Sequence, residues 1–226
     1  MFTGFTDATV DFMWGIRFNN EKQWFQAHKD IYLTQFYQPL RALGEEVYGF
    51  VMDRRPHSGL VLRVARIYRD ARRLHGRGPY KDNLWFSIER PAELWSANTC
   101  LWFGLEPEGW SYGCGCWMPK PADMAAIRRH IDRDPGPMEN LMRRLQGQSE
   151  FTLETENYKK PRAAAPNDLV APWYQAKSYS IVHADSLTEE LFSRAVAERV
   201  KEGVEFLLPW LDFFLAVEGE REGQQP

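Results

Sequence analysis

Between Arg54 and Arg90 the chain carries nine arginines and Lys81 against three acids, Asp70, Asp82 and Glu89, a surplus of seven positive charges before His57 and His75 are counted. Guanidinium groups grip carboxylates and phosphates through paired hydrogen bonds, and glycines such as Gly76 and Gly78 let a ligand approach the backbone. The centre of the stretch reads Arg66-Ile67-Tyr68-Arg69-Asp70-Ala71-Arg72, then Gly78-Pro79-Tyr80-Lys81-Asp82-Asn83. These residues suit the capture of a small anionic ligand, phosphorylated or carboxylated. Arg66, Arg69 and Arg72 would neutralise it, Lys81 would add a mobile charge, and Tyr80 and Asn83 would supply neutral hydrogen bonds. Asp70 has arginines on both sides, which keep a carboxylate ionised, so its expected job is to orient them rather than to act as a general base. No catalytic residue is assigned.

Two other readings fit the same residues. Ion pairs of Arg66, Arg69 and Arg72 with Asp70, Asp82 and the N-terminal acids would make the cluster architectural, leaving Arg54, Arg55, Arg73 and Arg77 as a solvated basic face. Alternatively the stretch is an interaction module for nucleic acid or protein, with Tyr68, Tyr80, Trp85 and Phe86 as stacking platforms for bases. A sequence pI near 6.0 weighs against a nucleic-acid partner. The anion pocket requires a specific geometry, because an extended chain puts Arg66 and Arg69 on opposite faces. A bend at Arg69-Asp70 would bring at least three of Arg66, Arg69, Arg72 and Lys81 to one concave site near Tyr80.

The surrounding pattern shows which elements must position these groups. Thr6 is a good N-cap for a helix over 6–17, with Val10, Phe12, Met13 and Ile16 on its apolar face. A second helical stretch follows Asn19-Asn20 and carries Trp24, Phe25, His28 and Phe36; Pro39 is expected to split it. After the breakers around Pro56 and Gly59, the runs Leu60 to Tyr68, Leu84 to Glu89, Thr99 to Leu105 and Trp110 to Trp117 read as strands. Helices follow from Pro121 to about Arg133 and from Asp134-Pro135 to about Gln146, then strands over Phe151 to Thr155 and Tyr179 to His183. Ser186-Leu187-Thr188-Glu189 matches a capping box before an apolar stripe through Val200, and Gly203 is expected to separate a last helix ending near Val217. Helices, then strands, then helices indicate an α+β fold, a largely antiparallel sheet flanked by N-terminal and C-terminal helices. The expected organisation is one domain over 1–217, with residues 1–50 packed against the arginine motif, and a solvated tail over 218–226.

Composition narrows the class of protein. Hydrophobic residues at 44%, charged residues at 26% and a net charge of −3 exclude a disordered chain and a polycation that coats nucleic acid. The longest uncharged runs, such as Leu94 to Leu105, are too short to span a membrane, and the start lacks a basic, apolar leader. With three cysteines and no disulfide framework, the expectation is a cytoplasmic protein with no membrane partner. Cys114-Gly115-Cys116 with His130 falls short of the four spaced ligands of a structural zinc site, so no metal is expected. No cofactor is expected either, since P-loop and dinucleotide glycine motifs and a hydrolase nucleophile elbow are missing from the sequence.

Asn19-Asn20 with Trp24-Phe25, Lys29 and Tyr32, the Arg66-Ile67-Tyr68-Arg69-Asp70-Ala71-Arg72 run, Pro79-Tyr80-Lys81-Asp82-Asn83 and the late Tyr158-Lys159-Lys160-Pro161 together resemble the family known as domain of unknown function 2461. The resemblance spans nearly the whole chain and implies kinship rather than a mechanism. Lys159 and Lys160 add two charges in a loop, read either as solvated or as bringing Lys159 to the anion pocket.

Overall fold

The computed structural model describes residues 1–70, 72, 74, 76, 78–91 and 98–222. Six strands, β1 Val61–Val64, β2 Leu84–Glu89, β3 Cys100–Glu106, β4 Gly109–Cys116, β5 Thr152–Glu154 and β6 Tyr179–Ser186, form an antiparallel sheet in the order β1-β2-β3-β4-β6-β5. β5 and β6 are in register with Leu153 opposite Ile181. The fold is α+β, with helices at both ends of the chain.

The chain divides into two compact units. The first comprises residues 1–88, 102–112 and 184–203, and the second 89–101, 113–183 and 204–226. In the first unit α1 Asp7–Phe18 turns Phe12, Met13 and Ile16 inward, as the spacing requires. Phe86, Phe103 and Phe5 stack in series at 5.6 and 6.1 Å, and all three are buried. The second unit packs α5 Pro121–Arg133, α6 Gly136–Gln146 and the short α7 Pro172–Gln175 with an aromatic core of Trp173, Tyr179, Trp210 and Phe214.

Three local expectations are corrected. Pro39 does not split its helix. After α2 Lys22–Ala27 and α3 Lys29–Ile31 the chain makes a π-helical turn over Tyr32–Tyr37 and continues into α4 Gln38–Arg54. Proline has no N–H for the carbonyl four residues earlier, that of Gln35, and the buried Thr9 hydroxyl donates to that oxygen instead at 2.5 Å. A tertiary contact thus replaces the missing helical bond.

Neither does the helix start at Ser186. Residues 187–194 form turns closed by bonds such as Leu191 N to Thr188 O, and the Phe5 amide takes the Leu191 carbonyl. That carbonyl is the one Ala195 would need in an α-helix, and Ala195 N bonds the Ser193 hydroxyl instead. The helix, α8, therefore begins at Ala195. It then runs unbroken to Glu222, past both Gly203 and Val217. Gly203 serves close approach, because a Cβ there would lie 2.3 Å from the Tyr112 hydroxyl. The last described turns are held by side chains, with Glu218 accepting the Thr99 amide at 3.0 Å and Glu220 paired with Arg133.

Candidate functional site

The expected strand from Leu60 to Tyr68 is realised as β1 and then an isolated antiparallel bridge between Tyr68 and Tyr80. Arg69 N donates to Pro79 O at 2.8 Å and Lys81 N to Ile67 O at 2.7 Å, so the two halves of the arginine motif are zipped together by backbone bonds. Ile67 is fully buried, which fixes the face of this segment.

Asn20 holds the bridge from the other side. Its side-chain oxygen accepts the Tyr80 amide and its side-chain nitrogen donates to the Tyr80 carbonyl, both at 2.9 Å, in the manner of a neighbouring strand. The approach is so close that a Cβ at Gly78 would fall 2.2 Å from the Asn20 oxygen. Phe25 stacks on the buried Tyr80 ring at 4.3 Å, so the N-terminal helices pack on the motif. Asn20→Ala is expected to lose about 1–3 kcal/mol of stability, mainly through the Tyr80 amide left unpaired, since the Tyr80 carbonyl keeps the Arg69 side chain at 2.8 Å, read by thermal or urea unfolding. An unchanged midpoint would show that water replaces the clamp.

The charged groups sort into two sets. Arg69 donates through Nε to the Tyr80 carbonyl at 2.8 Å and pairs with Asp82 at 3.3 Å. Asp82 also accepts Arg17 of α1 at 2.5 Å, and Arg17 in turn pairs with Glu108, whose carboxyl is thereby held below its ordinary range. Arg72 folds back on Asp70 through Nε at 3.1 Å and a terminal nitrogen at 3.0 Å, with its side chain 88% exposed. Asp70 therefore orients Arg72. Arg73, His75 and Arg77 lie outside the described residues.

Arg66 and Lys81 form the other set. The Lys81 ammonium donates to the Arg66 carbonyl and lies over the Trp85 ring, 4.4 Å from its centroid. Among the described residues neither the Lys81 ammonium nor the Arg66 guanidinium has a carboxylate partner. Burial, then the Arg69 and Arg66 charges, push the Lys81 amine down to about 8. Asn83 is half-buried and joins none of these bonds among the described residues. Of the seven candidate residues, the bridge gathers Arg66, Arg69, Tyr80 and Lys81, while Arg72 and Asp70 pair with each other and face water.

A family model for the conserved hypothetical protein DUF2461 matches residues 8–213. The chain belongs to that family. Among curated proteins none matches it. In this DUF2461 chain the matched region contains both halves of the arginine motif and the Asn20 clamp that joins them. Sequence reasoning missed three partners in the site: Arg17, the role of Asn20 and the seat of Lys81 on Trp85. Lys159 lies in the second unit. Cys114 is buried and burial pushes its thiol far up, Cys116 rises to about 12, and His130 bonds Glu220 at 3.2 Å. No helix among the described residues is long and apolar enough to cross a membrane.

Proposed function

We propose that the Tyr68–Tyr80 bridge carries a binding site for a small anionic ligand, a phosphorylated or carboxylated compound held by Lys81 and Arg66, with Arg69 adding charge from behind. What carries this reading is the state of Lys81. A cationic amine that is half-buried and flanked by two guanidiniums, with no carboxylate partner among the described residues, is destabilised until an anion reaches it.

The nucleic-acid alternative loses support, since Tyr80 and Phe86 are buried and Trp85 lies beneath Lys81, leaving Tyr68 as the single exposed platform of the four. The architectural alternative describes Arg17, Asp82 and Arg69 well and leaves Lys81 and Arg66 unexplained. An NMR titration of the Lys81 Cε tests the proposal. In saturating inorganic phosphate its midpoint should rise from about 8 toward the ordinary lysine value, and Arg66→Gln should weaken phosphate binding about tenfold, the loss of one charge-assisted contact. A midpoint that ignores phosphate would overturn the reading, and a steep loss of oligonucleotide affinity with salt would favour nucleic acid instead.

A further inference from the structure

A second concentration of cations lies wholly within the second unit. Residues 156–162 run antiparallel to 174–177, with Tyr158 N bonded to Gln175 O at 2.8 Å, Arg162 N to Tyr174 O at 3.0 Å, and a bridge between Asn157 and Ala176. This strap places the Arg162 guanidinium over the Tyr158 ring, 3.9 Å from the centroid, and the Lys177 ammonium 5.4 Å from the same centroid. Arg128 of α5 adds a third positive charge. It is only 8% exposed, yet its partners among the described residues are two carbonyls, Trp173 O at 3.3 Å and Ala176 O at 3.4 Å.

A buried guanidinium ordinarily demands a carboxylate, because two long bonds to neutral carbonyls do not replace its lost hydration. The acid that bears on Arg128 is Asp132, one helical turn on, and its carboxylate already accepts the Tyr174 hydroxyl at 2.5 Å. Neither the Arg162 nor the Lys177 side chain has a carboxylate partner among the described residues. Among the groups at Tyr158 and Arg128, the cations Arg128, Arg162 and Lys177 against the carboxylate of Asp132 leave a surplus of two positive charges, which matches a doubly charged tetrahedral anion better than a single carboxylate.

We propose that Arg128, Arg162 and Lys177, grouped around Tyr158, form a second anion site that takes the phosphate of a phosphate monoester. Arg128 supplies the fixed, desolvated donor. Arg162 and Lys177, both exposed, close on the anion from the strap, and their contact with the Tyr158 ring holds them near it while the site is empty. The site does not depend on Lys81, since every residue in it belongs to the other unit.

Phosphate titration of the full chain tests this with tyrosine-labelled protein, reading the Tyr158 ring signals. In a Lys81→Met background, which removes the first proposed site, inorganic phosphate should still shift Tyr158. The double variant Arg162→Gln/Lys177→Gln should weaken that response at least tenfold, while the wild-type melting curve is kept because both side chains are exposed. Acetate should bind at least tenfold more weakly than phosphate. Tyr158 signals that do not respond to phosphate, or that respond equally in the double variant, would overturn the second site and leave the Lys81 proposal untouched. Arg128→Lys, which keeps the charge but not the fork, should weaken phosphate more than acetate; an equal loss for both would also overturn it.

Discussion

Lys81→Met is expected to be more stable than the wild type at pH 7, and to lose that advantage as the pH rises to 10.5. The amine falls to about 8 in the folded protein against 10.5 for an ordinary lysine. Below pH 8 both folded and unfolded chains hold the proton, and the fold bears the whole cost of a half-buried charge between two arginines. Between 8 and 10.5 the unfolded chain holds more protons than the folded one, so wild-type stability climbs with pH. Above 10.5 both states are neutral and the cost is gone.

A shift of this size on a fully buried group would be worth about 3 kcal/mol. Partial exposure, the lost bond to the Arg66 carbonyl and the lost contact with Trp85 reduce the net gain to about 1 kcal/mol. That corresponds to a melting temperature higher by about 2–4 °C at pH 7 for a chain of this length. Phosphate should reverse the order, since a site around Arg128 would be common to both proteins while the Lys81 site is kept only by the wild type, which gains from it about 2.7 kcal/mol at a hundredfold excess over that site's dissociation constant. Calorimetry of both proteins at pH 7 and 10.5, with and without phosphate, checks all of this. A variant less stable than the wild type at pH 7 would mean that Lys81 is a structural pin.

The stability of the rest of the site depends on contacts that reach far along the chain, and this decides how much of it the sequence discloses. Local signals were reliable where a single element carries them. Pro121 opens α5 as its position at the start of a helix requires, and β2 spans Leu84–Glu89 as its run of apolar and aromatic residues suggests. They failed where a distant group changed the backbone bonding. The carbonyl freed by Pro39 is satisfied by Thr9, and the carbonyl that would extend α8 toward Ser186 is taken by Phe5. The same holds at the site. The motif showed that cations are concentrated, but not that Asn20 clamps Tyr80 across sixty positions or that Arg72 turns back on Asp70. Arg128 went unread in the sequence, although it shares the helical face of Met124 and Ile131 in α5, an apolar stripe where a charge needs a reason.

Asp82→Asn is expected to act in the opposite sense to Lys81→Met, lowering stability while strengthening phosphate binding. Asp82 is the carboxylate that joins Arg17 of α1 to Arg69 of the motif. An amide leaves one weak acceptor oxygen for two guanidiniums and turns an N–H donor toward cations. For a fully buried pair the loss would reach about 3–5 kcal/mol, but these side chains are 20–30% exposed, and Arg17 keeps Glu108 and Arg69 keeps the Tyr80 carbonyl. A loss of about 1–3 kcal/mol follows. Removing the one negative charge paired with Arg69 also raises the local positive potential, which should tighten phosphate binding by about fivefold at low salt and less at 0.15 M. Unfolding midpoints and calorimetric titration at two ionic strengths read both effects. Opposite movements of stability and affinity in Asp82→Asn and Lys81→Met are what a binding site built around excess positive charge requires. If both variants lose stability and neither alters phosphate affinity, the arginine motif is architecture and the anion belongs elsewhere.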